Sequence, residues 1–256
     1  MTPTPLPRRL LAELLGSAFL AAVVIGSGIA AHQLSPNDTG LELFESAAAT
    51  AAGLFTIILM FGPISGGHFN PVVSFVDAHF SGISRRDALA YLPAQVSGCV
   101  LGAIAANGMF ARTLVSISIH HRASPAHLFS EIIATLGLML VIFALARTHG
   151  SSSAPAAVGA YIGAAYFFTS STSFANPAIS IGRIFSNTFA GIAPASVPGF
   201  AIAQILGGAI AILAIRALYP DVTAAEAATV VVAHNDDAHA DTNPIGGGVL
   251  RQGGSP

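Results

Sequence analysis

The sequence predicts an all-α membrane protein with six transmembrane helices and two re-entrant half-helices, arranged as an inverted repeat. Three observations carry that prediction. First, 53% of the 256 residues are hydrophobic and only 9% are charged, with a mean hydropathy of +0.71. Soluble domains carry about 25% charge, so this chain could not cover a surface facing water. Second, apolar runs of roughly 20 residues, long enough to cross a bilayer, recur along the chain. Third, an Asn-Pro pair opens a short apolar segment twice, at Asn70-Pro71-Val72 and at Asn176-Pro177-Ala178.

Residues 1–9 form a short amino-terminal segment, read as cytoplasmic. Spans are expected near 10–31, 43–62, 88–110, 128–147, 154–169 and 198–218. The first is too long for a signal peptide, contains Glu13, and is followed by further spans. The fifth grades into the polar run Thr169–Ser173, which blurs its end. The half-helices are expected at about 71–79 and 177–187. A membrane domain thus covers 10–218, with repeats at about 10–110 and 128–218. The tail from 219 to 256 lacks periodicity and reads as disordered.

Arginine orients the spans, since all ten basic residues are Arg. With the amino terminus inside, Arg8, Arg9, Arg85, Arg86, Arg147, Arg216 and Arg251 fall on the cytoplasmic side. Arg112, Arg122 and Arg183 fall outside, in line with the positive-inside bias. Both termini are therefore expected in the cytoplasm. The net charge of -2 gives no footprint for nucleic acid.

The two halves match at three places in the same order. Leu-Ala-Glu13-Leu-Leu pairs with Phe-Ser-Glu131-Ile-Ile, and Asn70-Pro71-Val72 pairs with Asn176-Pro177-Ala178. Ala-Gln95-Val-Ser-Gly98 pairs with Ala-Gln204-Ile-Leu-Gly207. Three spans per half force the halves to enter the membrane from opposite sides. Such repeats place the functional site at mid-membrane, where their broken helices meet.

Asn is a preferred cap and Pro a preferred first helical residue, so each Asn-Pro pair reads as a loop feeding a half-helix. The unpaired N–H groups and positive dipole ends of both half-helices then point at the centre. Such a centre offers donors to a hydroxyl and repels a cation. Irregular backbone at that depth must be buried or line water, which makes Gly66-Gly67 and Thr169–Ser173 candidate pore-lining strands. Glu13 and Glu131 lie inside spans, where a carboxylate is costly. They serve either as proton relays or as anchors for the loop backbones, and their matched positions favour anchoring. Gln95 and Gln204 sit beside Gly98, Gly102, Gly207 and Gly208, which permit close helix contact, and read as interhelical hydrogen-bonders.

With these motifs, residues 8–218 resemble the aquaporin, or major intrinsic protein, family of water and small-solute channels. The resemblance implies a passive channel in each subunit of a homotetramer, without cofactor or metal. Val72 stands where the family usually has Ala. Ile179 stands where it usually has the Arg of an outer selectivity filter. Counted without gaps, the remaining filter positions implied by the resemblance are Thr50, Ala164 and Ser173. That ring would hold no aromatic and no cation, and so would admit solutes larger than water. Arg183, one helical turn beyond Ile179, is either a displaced filter cation or a side chain reaching to the interface. The second box with its Gly-Arg and Ser-Asn-Thr-Phe-Ala-Gly continuation is similar to a bacterial branch associated with arsenic resistance. This implies conduction of glycerol-like polyols, water and trivalent metalloid hydroxides such as arsenite, in a bacterial plasma (inner) membrane.

His68 either lines the inner half of the pore or packs within its loop. His120, His121 and His127 lie in an outer loop. His234 and His239, flanking Asp236 and Asp237, read as part of a solvated tail. Cys99 is the only cysteine and reads as packing. Asn37-Asp38-Thr39 matches a glycosylation sequon without other signs of a eukaryotic secretory protein. No nucleophile–base pairing or metal-ligand spacing is present in the spans, so an enzyme is not expected. The alternatives are a water-selective channel and a proton-coupled secondary transporter using Glu13 or Glu131.

Overall fold

Hydrophobic runs become helices wherever the backbone must satisfy itself in lipid. The computed structural model describes residues 4–147 and 153–220. Its α-helices are α1 (Leu6–Leu34), α2 (Thr39–Ser65), α3 (Pro71–His79), α4 (Arg85–Met109), α5 (Pro125–Arg147), α6 (Ala154–Phe168), α7 (Pro177–Gly182) and α8 (Val197–Leu218). No strand is present among the described residues. Among the described residues five helices are long and apolar enough to cross a membrane, while the 15-residue α6 is shorter. At about 1.5 Å per residue α6 spans about 22 Å. The tail expected to be disordered lies outside the described residues beyond position 220, and so do its His and Asp residues.

Local chemistry sets the boundaries. α1 begins at Leu6, ahead of the expected 10, because Pro7 in the first turn loses no hydrogen bond there. Asp38 caps α2 by accepting the Leu41 N–H, and Ser84 caps α4 by accepting the Asp87 N–H. α3 matches the expected half-helix. α7 ends at Gly182, followed by one 3-10 turn over Arg183–Phe185, and so stops short of the expected 187. Asn107 of α4 cuts it off: its Nδ2 donates to the Phe185 carbonyl at 2.9 Å and its Oδ1 accepts the Ser186 hydroxyl at 2.7 Å.

α1 packs on α2 and α4, while α5 packs on α6 and α8; α3 and α7 each touch α4 and α8. Glycines set the closest crossings. A Cβ on Gly98 would lie 2.3 Å from the Leu14 carbonyl oxygen and 2.9 Å from Ser17 Cβ. Its counterpart Gly207 faces the Ile132 carbonyl at 2.5 Å and Thr135 Cβ at 2.9 Å. The two crossings are copies of one another, as the repeated Ala-Gln-x-x-Gly requires. Leu11, Phe19, Leu59, Phe167, Ile202 and Leu213 are all exposed on the outside of the bundle. In a chain of this composition that surface faces lipid.

Candidate functional site

Two irregular loops feed the half-helices, 66–70 before α3 and 172–176 before α7. Each has the same backbone course. Gly66, Gly67 and Phe69 take positive φ (92°, 69° and 49°), as do Thr172, Ser173 and Ala175 (62°, 48° and 48°). The Ser65 hydroxyl accepts the Gly67 N–H at 3.2 Å, and the Ser171 hydroxyl accepts the Ser173 N–H at the same distance. Left-handed conformations cost little at glycine and about 1–2 kcal/mol elsewhere. Something must therefore hold the second loop in particular.

Buried carboxylates do so. Glu13 accepts from the Ser65 hydroxyl (2.6 Å), the His68 N–H (3.1 Å), the Phe69 N–H (2.7 Å) and Gln95 Nε2 (2.8 Å). Glu131 accepts from the Phe174 N–H (2.9 Å), the Ala175 N–H (2.8 Å) and Gln204 Nε2 (2.7 Å). Each Gln also donates to a serine on the neighbouring half-helix, Gln95 to Ser74 and Gln204 to Ser180. Both carboxylates are thus engaged with fixed donors, an arrangement suited to anchoring a loop rather than moving a proton.

The cap residues join the loops. Asn70 Oδ1 accepts the Val72 N–H, and Asn176 Oδ1 accepts those of Ala178 and Ile179. Asn70 Nδ2 donates to the Ala175 carbonyl at 2.8 Å, and Asn176 Nδ2 donates to the Phe69 carbonyl at 2.7 Å. Each amide nitrogen carries two hydrogens, and among the described residues only one is used. Pro71 and Pro177 follow as the first helical residues, and Ala178 is fully buried. Val72, bulkier than Ala, fits because Gly208 of α8 faces it; a Cβ there would lie 2.6 Å from Val72 Cγ1.

A cavity runs past both caps. The two loops contribute Gly67, His68, Phe69, Asn70, Ser173, Phe174, Ala175 and Asn176 to its lining. Four helices contribute aliphatic side chains, among them Leu20, Leu54, Ile58, Leu138, Ile142, Val158 and Ile162. Thr50, Tyr166, Ile179 and Arg183 also line it. Tyr166 and Arg183 additionally line a second hollow with Thr39, Leu43, Ser46, Arg122, Thr172, Phe189 and Ala190. These two side chains therefore stand at the neck between cavity and vestibule. The Tyr166 and Thr50 hydroxyls are 3.2 Å apart.

A family model described as major intrinsic protein matches residues 2–182. The chain belongs to the major intrinsic protein family. It is 46% identical over 211 residues to aquaglyceroporin AqpS of Rhizobium meliloti (strain 1021), covering 82% of this chain and 90% of the relative. It is 32% identical over 183 residues to aquaporin TIP1-1 of Arabidopsis thaliana, covering 67% and 72%. Among solved structures, that of the aquaglyceroporin from Plasmodium falciparum aligns with a TM-score of 0.63 and 18% identity. The alignment covers 85% of this chain and 99% of the other, and supports the fold. Members of the family are channels, and this multi-pass membrane protein is a channel rather than an enzyme. Among the described residues no three His, Cys, Asp or Glu side chains converge as a metal site.

One expected filter residue is corrected. Ala164 is exposed on the outer face of α6 and does not line the cavity. Val158, Ile162 and Tyr166 turn inward instead, spaced four apart. Two residues turn a helix by about 200°, so a count that reaches Ala164 misses the inner face and the aromatic on it. Tyr166 brings an aromatic ring and Arg183 a cation to the lining of the cavity. Arg183 is only 3% exposed and does not reach the interface. Its guanidinium carbon lies 3.4 Å from the Phe174 ring centroid, and its Nε donates to the Ala190 carbonyl. Among the described residues it forms no ion pair. The sequence signal for Tyr166 was the four-residue spacing of large side chains alternating with Gly159 and Gly163, which press on α2.

Proposed function

We propose that this channel conducts glycerol-like polyols, water and uncharged trivalent metalloid hydroxides such as arsenous acid. The observation that carries this reading is the mixed lining of the cavity, loop amides and carbonyls together with aliphatic side chains. A polyol carries both hydroxyls and carbon, and such a solute suits a lining that offers both polar partners and apolar surface. Asn70 and Asn176 orient the hydroxyls with their remaining amide hydrogens. Thr50, Tyr166, Ser173, Ile179 and Arg183 set the outer aperture. The relatedness to an aquaglyceroporin at 46% identity supports the same solute class.

A water-selective channel is the second reading, favoured by Tyr166 and Arg183 together at the neck. Proton-coupled transport has no comparable support, because Glu13 and Glu131 are taken up by loop backbone. Arg9, Asp87 and, around His79, Arg85 and Arg216 gather at the amino-terminal end of the bundle. That agrees with termini in the cytoplasm of a bacterium and insertion in its inner membrane. A homotetramer, burying part of the exposed apolar surface, completes the reading. The test is stopped-flow flux of water, glycerol, urea and arsenous acid in reconstituted vesicles, with Ile179→Arg alongside. A second cation one turn from Arg183 should lower glycerol and arsenous acid flux more than water flux. Unchanged glycerol flux would remove Ile179 from the aperture.

A further inference from the structure

The vestibule beyond the neck holds two arginines and meets them with too little negative charge. Arg122 comes from the segment between α4 and α5, and Arg183 from the turn after α7. One short stretch of backbone holds both. Arg183 Nε donates to the Ala190 carbonyl, while Arg122 Nε donates to that of Gly191 and Arg122 Nη2 to that of Phe189, the last two at 2.8 Å. One ring also serves both. The guanidinium carbons stand 3.4 Å (Arg183) and 5.6 Å (Arg122) from the Phe174 centroid, within the usual reach of a cation–π contact. Three successive carbonyls and one ring thus fix two guanidinia at a single place. Arg122 Nη1 and both Nη atoms of Arg183 make no hydrogen bond among the described residues, and both side chains line the same hollow. Arg183, only 3% exposed, therefore turns its free edge inward.

Like charges brought together away from bulk water are costly unless an opposite charge meets them. Among the described residues, Glu131 is the carboxylate whose charge reaches both guanidinia. Its oxygens are taken up by the Phe174 and Ala175 N–H groups and by Gln204. Glu42 of α2 does not line the hollow and meets His32 at 3.1 Å. Two cations thus stand against one engaged carboxylate. The remaining polar lining, from Thr39, Ser46, Tyr166 and Thr172, consists of hydroxyls, which donate hydrogen bonds without adding charge.

We propose that this vestibule binds a small tetrahedral oxyanion between Arg122 and Arg183, and that the bound anion obstructs the entry of neutral solute. Arg183 presents the edge between its two Nη atoms, which matches two oxygens of such an anion with parallel hydrogen bonds, and Arg122 adds its Nη1. Obstruction follows from the position of the site. Arg183 lines both the hollow and the cavity that leads past the caps, so an anion seated on it stands in the path. Obstruction rests on the reading of the protein as a neutral-solute channel; binding does not.

The test uses the full chain, in detergent for binding and in phosphatidylcholine vesicles for flux. Inorganic phosphate is the probe, at constant ionic strength and equal on both sides of the membrane. With a dissociation constant of about 5 mM, phosphate at about 10 mM should lower wild-type glycerol flux about threefold. It should also raise the unfolding temperature by about 2 °C, and chloride in its place should do neither. Arg122→Gln should abolish both effects, each read as a ratio with and without phosphate so that a changed basal rate cancels. Arg183→Lys keeps the charge but loses the fork, and should weaken both effects; it carries the test if Arg122→Gln does not fold. Wild-type flux or unfolding temperature indifferent to phosphate, or effects of wild-type size in either variant, would overturn the proposal. So would a block that needs no phosphate and appears only with phosphatidylglycerol in the vesicles, since the guanidinia would then hold lipid headgroups. If wild-type vesicles pass glycerol no faster than empty ones, the solute assignment fails instead, and the shift in unfolding temperature still decides the site.

Discussion

Loop 66–70 and loop 172–176 answer one structural demand with different side chains. Both put three residues in left-handed backbone, cap a half-helix with Asn, hang from a buried Glu, and lean on a Gln–Ser pair. They part company in the residues that fill this backbone and in those that follow it. The first has Gly66 and Gly67 where the second has Thr172 and Ser173. The first is followed by Asp77, buried 3.3 Å from His68, and the second by Arg183, which lies on the Phe174 ring. Geometry has been held fixed while the side chains beyond it differ, which is expected if the fold needs the meeting of the loops.

Substituting the two anchors is the strongest way to break this comparison. At Glu13 Oε2 an amide would face two fixed N–H donors, but at Oε1 it would face the His68 N–H and the Ser65 hydroxyl, which can turn to accept. Glu13→Gln therefore sacrifices one charged hydrogen bond and should cost about 2 kcal/mol. Glu131 Oε1 receives, among the described residues, only the Phe174 N–H, so Glu131→Gln should also cost about 2 kcal/mol. Thermal unfolding in detergent should show matched losses; a large loss at one and none at the other would mean that the two loops are not anchored alike.

The caps should be matched as well. Asn70→Ala and Asn176→Ala each remove one cap, worth about 1 kcal/mol, and one cross-loop bond of similar size. Each should reduce glycerol flux about tenfold, from either side of the midplane, since each leaves a carbonyl of the other loop unpaired. A large effect at one and none at the other would show that the loops do not depend on each other.

The neck sharpens the comparison with smaller effects. Tyr166→Ala should raise glycerol flux about threefold by widening the aperture, whereas Ala164→Phe, on the exposed face, should leave it unchanged. A reversed pattern would restore the ungapped count and remove Tyr166 from the filter. Least of all, Thr172→Gly should relieve left-handed strain and stabilise the protein by about 0.5 kcal/mol once the extra chain entropy of glycine is offset. Destabilisation would mean that the threonine side chain does more than tolerate its backbone.

The comparison also explains what was legible in the sequence. The helices, both Asn-Pro caps, the Glu anchors and the Gln partners announce themselves because each costs free energy unless it is used, and each appears twice. Even the close crossings at Gly98 and Gly207 follow from the repeat. Helix ends were less legible where a distant group sets them, as Asn107 does for α7. The neck was missed for a related reason. Which face of α6 turns inward depends on Gly159 and Gly163 pressing on α2, a tertiary fact that a linear count does not contain. Arg183 was singled out, but its place against Phe174 required the loop to be folded.

The most direct test of the central claim is a stopped-flow measurement of glycerol entry into vesicles reconstituted with the full chain, with and without an imposed proton gradient. The account predicts downhill glycerol entry about tenfold above empty vesicles, at a rate indifferent to the gradient. Fast water flux with glycerol at the empty-vesicle rate, or glycerol accumulation driven by protons, would contradict it.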